Sequence, residues 1–238
     1  MKTKMKKALK DAFAAPKPQN KQAFMRNIKQ PEMSYSRFVL VQASYIRKWV
    51  WGLSFVIFTV ALVGGSFMKI NVMWLLSAMV PYLAVSFIGE SIRSEIHGMA
   101  ELEMASRFSL KSVVLARMGI LGVSNLGLLC LLAALGHMDE IHTIFQTGVY
   151  LSVLYLLTAA GGLYIVRKIH GKESAYLSMG FAVIVSLLPM INRYMEAFFY
   201  QQRLFGWWIF AFIVLLFIAI SEFQKMIERT EELTWNLS

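Results

Sequence analysis

Six stretches in which apolar residues run almost unbroken for about 20 positions divide this chain: 49–68, 72–90, 113–135, 143–166, 174–191 and 205–221. About 20 apolar residues carry an α-helix across a bilayer. Such spans must be helical, because hydrocarbon offers their backbone no hydrogen-bond partner. Tight polar connections separate them, including Met68-Lys69-Ile70-Asn71 and the HMDEIH stretch at 137–142. Ahead of the first span the pattern is amphipathic. Ser34 or Ser36 can cap a helix that places Phe38, Val41, Tyr45 and Trp49 on one face. Arg47 and Lys48 mark a membrane boundary, and Trp49 and Trp51 suit the headgroup level. The pattern predicts an interfacial helix over about 35–48 that elbows into the first span. After the last span, SEFQKMIERTEELTWNLS should continue as a polar, solvated helix.

Composition agrees with this reading: 57% of the residues are hydrophobic and the mean hydropathy is +0.55, above the range of soluble domains. The expected fold is an all-α integral membrane protein with six transmembrane helices, preceded by an interfacial amphipathic helix. Three regions follow: a basic N-terminal region at 1–48, a six-span domain at 49–221 and a C-terminal tail at 222–238. The single cysteine, Cys130, lies in an apolar run, so no disulfide framework exists and a small buried hydrophobe is expected.

Charge sets the orientation. Of the 24 Lys and Arg residues, 21 fall on one side of the six spans. They lie in the N-terminal region, the 90–117 segment, the Arg167-Lys168-Lys172 turn and the tail. Only Lys69, Arg193 and Arg203 fall on the other. By the positive-inside rule both termini are expected in the cytoplasm, in a multi-pass protein of the cell membrane. The net charge of +10 is thereby explained without a nucleic-acid partner. Near the N-terminus Met5, Leu9 and Phe13 recur at helical spacing among Lys2, Lys6, Lys7 and Lys10. This short basic helix can rest on anionic lipid or dock a partner subunit. Pro16 and Pro18 follow it, not an apolar run, so a cleaved signal peptide is not expected here.

Motifs for chemistry are absent. There is no HExxH, and His97, His137, His142 and His170 all fall outside the apolar runs, so no metal site is expected. His137, Asp139, Glu140 and His142 read as a polar loop. Gly171-Lys172-Glu173-Ser174 lacks the upstream glycine spacing of a phosphate-binding loop. No span holds a histidine or a mid-span carboxylate, against a proton relay or an intramembrane protease. The chain is not expected to be an enzyme. Asn125, Gln146 and the span hydroxyls read as helix–helix hydrogen bonds, and Pro81 and Pro189 as kinks. The glycines of pairs 64–65 and 161–162, with Gly119, Gly122 and Gly127, permit close helix approach or bending. Before the last span, NRYMEAFFYQQRLFGWW interleaves aromatics with Arg193, Glu196 and Arg203. It suits either an aromatic belt or an outer gate.

The long polar segment from Glu90 to Arg117 is the remaining feature. Its stretch from Glu101 to Arg117, ELEMASRFSLKSVVLAR, resembles the second half of the first cytoplasmic loop in membrane subunits of ABC transporters of the ABC-2 exporter type. The order of elements is similar too: an amphipathic helix, six spans with both ends inside, and an aromatic stretch before span six. The proline usual in the family's turn is replaced by Phe108-Ser109, and the Gly-Thr before the first Leu-Glu by Met99-Ala100.

The resemblance implies that Glu101, Glu103, Met104 and Arg107 contact a separate ABC ATPase subunit. It implies a second permease half, identical or homologous, with substrate moving between the halves. ATP and Mg would be held by the ATPase, with no cofactor in this chain. Phe198, Phe199 and Tyr200 would form the outer gate. A rival reading is a membrane regulator or sensor without transport of its own, binding a soluble signalling partner through the long basic N-terminal region.

Overall fold

The computed structural model describes residues 35–67, 72–93, 110–136, 144–169, 171–194 and 202–236. Two compact units divide the chain, Met1–Arg37 and Phe38–Ser238, and the helical bundle is the second. Among the described residues the secondary structure is entirely helical. The elements are α1 (Tyr35–Tyr45), α2 (Lys48–Phe67), α3 (Val72–Ser91), α4 (Leu110–Gly136), α5 (Ile144–Lys168), α6 (Lys172–Tyr194) and α7 (Phe205–Asn236), with a 3-10 turn at Gln202–Leu204 before α7.

Five of these helices, α3 to α7, are long and apolar enough to cross a membrane. A sixth span is formed if α1 and α2, bent by 80° at their junction, are taken as one broken span. The protein is therefore a membrane-embedded helical bundle. The elbow falls at Ile46-Arg47, where the α-helical ladder gives way to two tighter bonds: Ile46 N–H to the Ala43 carbonyl at 3.3 Å and Val50 N–H to the Arg47 carbonyl at 3.0 Å.

Consecutive apolar helices alternate in direction, so the bundle has two chemically distinct ends. At one end the α1–α2 elbow, the end of α3, the start of α4 and the end of α5 meet through Ile46, Val50, Phe87, Met118, Leu121 and Leu163. At the other, Met73, Tyr150, Phe205 and Trp208 gather the starts of α3, α5 and α7. Between them Ile57, Leu76, Val80, Leu83, Leu132 and Leu151 form the central core. Helix α5 packs against α3, α4, α6 and α7, and is the most enclosed of the spans, whereas α7 is the most open to its surroundings. The large exposed apolar side chains of α2, α6 and α7, such as Phe55, Ile184 and Phe217, are what a lipid-facing surface requires.

The enclosure of α5 depends on two glycines. A Cβ on Gly161 would strike the Phe181 ring of α6, and one on Gly162 would strike the Ile88 side chain of α3. Small residues bring membrane helices close where dispersion must replace the hydrophobic effect. Gly119, Gly122 and Gly127 of α4 behave differently: nothing lies within 4 Å of where a Cβ on any of them would stand. Gly171, at φ +77°, makes the left-handed turn that reverses the chain from α5 into α6, and its carbonyl accepts from the Ser174 hydroxyl at 2.7 Å. That turn accounts for the Gly171–Ser174 sequence. Helices α3 and α6 continue through Pro81 and Pro189.

Four expectations change on contact with the packing. The buried face of the α1–α2 elbow is Phe38, Gln42 and Ile46, while Tyr45 and Trp49 are exposed. Most buried hydroxyls do not join helices: those of Ser77, Thr158 and Ser178 donate to the carbonyl four residues earlier in their own helix. Asn125 to Tyr155 (3.2 Å) and Tyr82 with Ser186 (3.4 Å) do bridge helices at mid-bundle. Cys130 is exposed, not buried. The tail after residue 221 is helical as expected, but one face of its first turns is packed rather than solvated: Glu222 and Met226 are buried, while Gln224, Lys225 and Glu228 are exposed.

Candidate functional site: the basic end and the groove between α4, α5 and α7

At the basic end, polar side chains tie the helix termini together in two groups. The first surrounds the elbow. Arg93, just past α3, donates from Nη1 to the Tyr45 carbonyl at 2.8 Å and to Glu90 Oε2 at 3.2 Å. The Glu90 side chain is almost wholly enclosed, so its charge is neutralised where it sits. The Tyr45 carbonyl is one of the last four of α1, which have no partner within the helix; Arg93 supplies one. From the opposite flank, Arg117 of α4 donates from Nε to Gln42 Oε1 of α1 at 3.1 Å. Thus α1 is held from both sides by arginines that flank the 94–109 segment. Each bond from a charged donor contributes about 1.5–3 kcal/mol.

The second group joins α5 to α7. Arg167 donates to both oxygens of Glu222, from Nε at 2.8 Å and from Nη2 at 3.1 Å, in the bidentate geometry that suits a guanidinium and a carboxylate. Lys225 adds a bond to Glu222 Oε1 at 3.2 Å, and the Arg167 guanidinium lies 5.3 Å from the centre of the Tyr164 ring. Glu222 is only 7% exposed. Its partners make that burial tolerable, since an unpaired carboxylate there would be strongly disfavoured.

At the other end Tyr150 is wholly buried and meets Phe205 and Trp208 edge to face, at centroid separations of 6.0 and 5.0 Å. These aromatics anchor the start of α7 on α5. Between the two anchors α7 stands off from α4, leaving an apolar cavity of about 1030 Å³. Its floor is α5, through Gly148, Ser152 and Ala159; its walls are the Gly119–Gly122 side of α4 and the Phe212–Leu216 side of α7. Cys130 lines it.

Glu101, Glu103, Met104 and Arg107 lie outside the described residues, as do Phe198, Phe199 and Tyr200 and all four histidines. Among the described residues no group of three or more His, Cys, Asp or Glu side chains comes together as a metal site. Sequence reasoning missed the Arg167–Glu222 pair, whose members are 55 positions apart. It also missed the bonds that Arg93 and Arg117 make to α1.

No protein-family model, curated protein or solved structure matches the chain. The class defined by fold and composition is an all-helical, membrane-embedded protein.

Proposed function

We propose that this chain is the membrane-spanning half of an ATP-driven exporter of the ABC-2 kind. It would lie in the cell membrane with six spans and both termini in the cytoplasm. It would pair with a second half and work with a separate ATPase subunit that holds ATP and Mg. The segment between α3 and α4 would carry the coupling contact through Glu101, Glu103, Met104 and Arg107, with Phe198, Phe199 and Tyr200 as the outer gate.

The observation that carries this reading is the grip on α1. A coupling segment must convert the movement of a soluble ATPase into movement of helices within the bilayer, so its two ends need stiff connections. Arg93 precedes the segment and Arg117 follows it, and both bond to α1. Displacing the segment therefore loads α1, α3 and α4 together rather than bending a loop. The resemblance over 101–117 supplies the second support, and the concentration of basic residues at this end favours a cytoplasmic position for it.

Glu103→Arg reverses the charge on the face proposed to meet the ATPase. In the purified complex it is expected to lower ATPase association or coupled activity by about tenfold, the size of a lost charge-assisted contact of about 1.4 kcal/mol or more. Unchanged assembly and unchanged activity would contradict the coupling role.

A further inference from the structure

We propose that the basic end of the bundle binds the headgroups of anionic phospholipids through three outward lysines, Lys48, Lys168 and Lys172. This goes beyond the exporter reading and does not depend on it. The cations at this end divide into two kinds. Arg93, Arg117 and Arg167 donate to protein oxygens, on Tyr45 and Glu90, on Gln42 and on Glu222, so their charges are engaged inside the fold. Lys48, Lys168 and Lys172 are exposed and make no ion pair among the described residues. They begin α2, end α5 and begin α6, and three different helices therefore bring them to the same end of the bundle.

One geometry recurs beneath each lysine. Trp51 lies three residues deeper than Lys48 along α2. Tyr164 lies four deeper than Lys168 along α5, and Tyr176 four deeper than Lys172 along α6. Residues three or four apart share a helix face, and all three aromatics are exposed, by 41%, 49% and 74%. Such a pair spans the headgroup region. The ring sits at its boundary with the hydrocarbon, and the ammonium reaches the phosphates on its flexible stem. A soluble acidic protein could pair with the lysines, but the rings one turn deeper lie where a bilayer, not a soluble partner, reaches them. Phosphatidylcholine carries its own cation beside the phosphate, so the positive surface favours a lipid of net negative charge.

The test purifies the full-length chain alone, in mild detergent, from bilayers holding equal amounts of phosphatidylglycerol and phosphatidylcholine. Native mass spectrometry reads the ratio of the two lipids retained. The wild type is expected to favour phosphatidylglycerol about fivefold, the scale of one lysine at a charged surface, and to lose that preference after washing in concentrated salt. Lys48→Gln, Lys168→Gln and Lys172→Gln together are expected to make the ratio even. Arg203→Gln, at an exposed arginine of the opposite end, is expected to leave it unchanged. An even ratio in the wild type, a preference that persists through the salt wash, or an equal fall in Arg203→Gln overturns the proposal. An unchanged ratio in the triple variant also overturns it, and with lost ATPase association would assign the lysines to a protein surface instead. The salt wash reads the wild type itself, so it decides the matter even if the triple variant does not fold. No ATPase is present in the lipid measurement, so this result and the coupling test fail separately.

Discussion

Glu222→Ala is expected to lower the unfolding free energy of the chain by about 3 kcal/mol, the scale for breaking a buried ion pair by removing one partner. The carboxylate accepts both bonds of a bidentate contact from Arg167 and a third from Lys225. Its loss leaves the guanidinium facing a void at the α5–α7 seam. The Arg167 side chain keeps 28% of its surface exposed and can turn partly to water, which holds the cost near the lower end of the range. Replacing both partners separates geometry from charge. Arg167→Met with Glu222→Met removes the desolvation cost along with the attraction, and is expected to lie within about 1 kcal/mol of the wild type. Unfolding by SDS titration measures both. A loss below about 1 kcal/mol for Glu222→Ala would class the pair with exposed surface contacts and remove its role in holding α7.

The second large effect is at the α3–α5 contact. Gly162→Ala is expected to destabilise the bundle by about 2 kcal/mol, as inserting a methyl into a filled site does. The new Cβ would meet the end of the Ile88 side chain. That end is ordinarily free to turn, but Ile88 is fully buried and packed with Ile92 and Val166 against Phe87 and Ala175. Yielding there means shifting α3. The same substitution at Gly119 is expected to be neutral or stabilising by about 0.5–1 kcal/mol, through helix propensity alone, because no atom stands in its way. Opposite signs for the two variants in the same SDS titration are the prediction. A neutral Gly162→Ala would mean that the close approach of α3 and α5 is not a constraint.

The helices themselves are legible in the sequence because their signal is one-dimensional. An unbroken apolar run ended by charge, such as the one closing at Glu90, needs no knowledge of neighbours, and α3 ends at Ser91. What the run cannot reveal is which face of a span meets protein and which meets lipid, since both are apolar. That is why the central place of α5 is hidden, although Gly161 and Gly162 are its trace. Cys130 departs from expectation for the same reason: an apolar run predicts insertion, and this residue is inserted but lines a groove. The face of α1 differs because a stripe through Phe38, Val41, Tyr45 and Trp49 assumes a continuous helix. The 80° elbow takes Trp49 out of that register, while within α1 Phe38 turns inward as expected, joined by Gln42 and by Ile46 at the elbow rather than by Tyr45.

Polar partners are the least legible feature. By sequence Arg117 counts only toward orientation, yet its bond to Gln42 joins residues 75 positions apart. Arg167 and Glu222 fall by sequence in a turn and a solvated tail. Each assignment is locally sound. Only the antiparallel packing of α5 and α7 brings the carboxylate onto the guanidinium and makes an ion pair of two separate boundary charges.

The exporter reading stands or falls on gentle purification of the chain from its own membrane, with mass spectrometry of what accompanies it. The expected companion is a stoichiometric soluble ATPase carrying nucleotide-binding motifs, released when the 94–109 segment is altered by Glu103→Arg. A preparation without an ATPase, or one carrying a soluble signalling protein bound through the basic N-terminal region, would contradict the exporter reading and favour a membrane regulator.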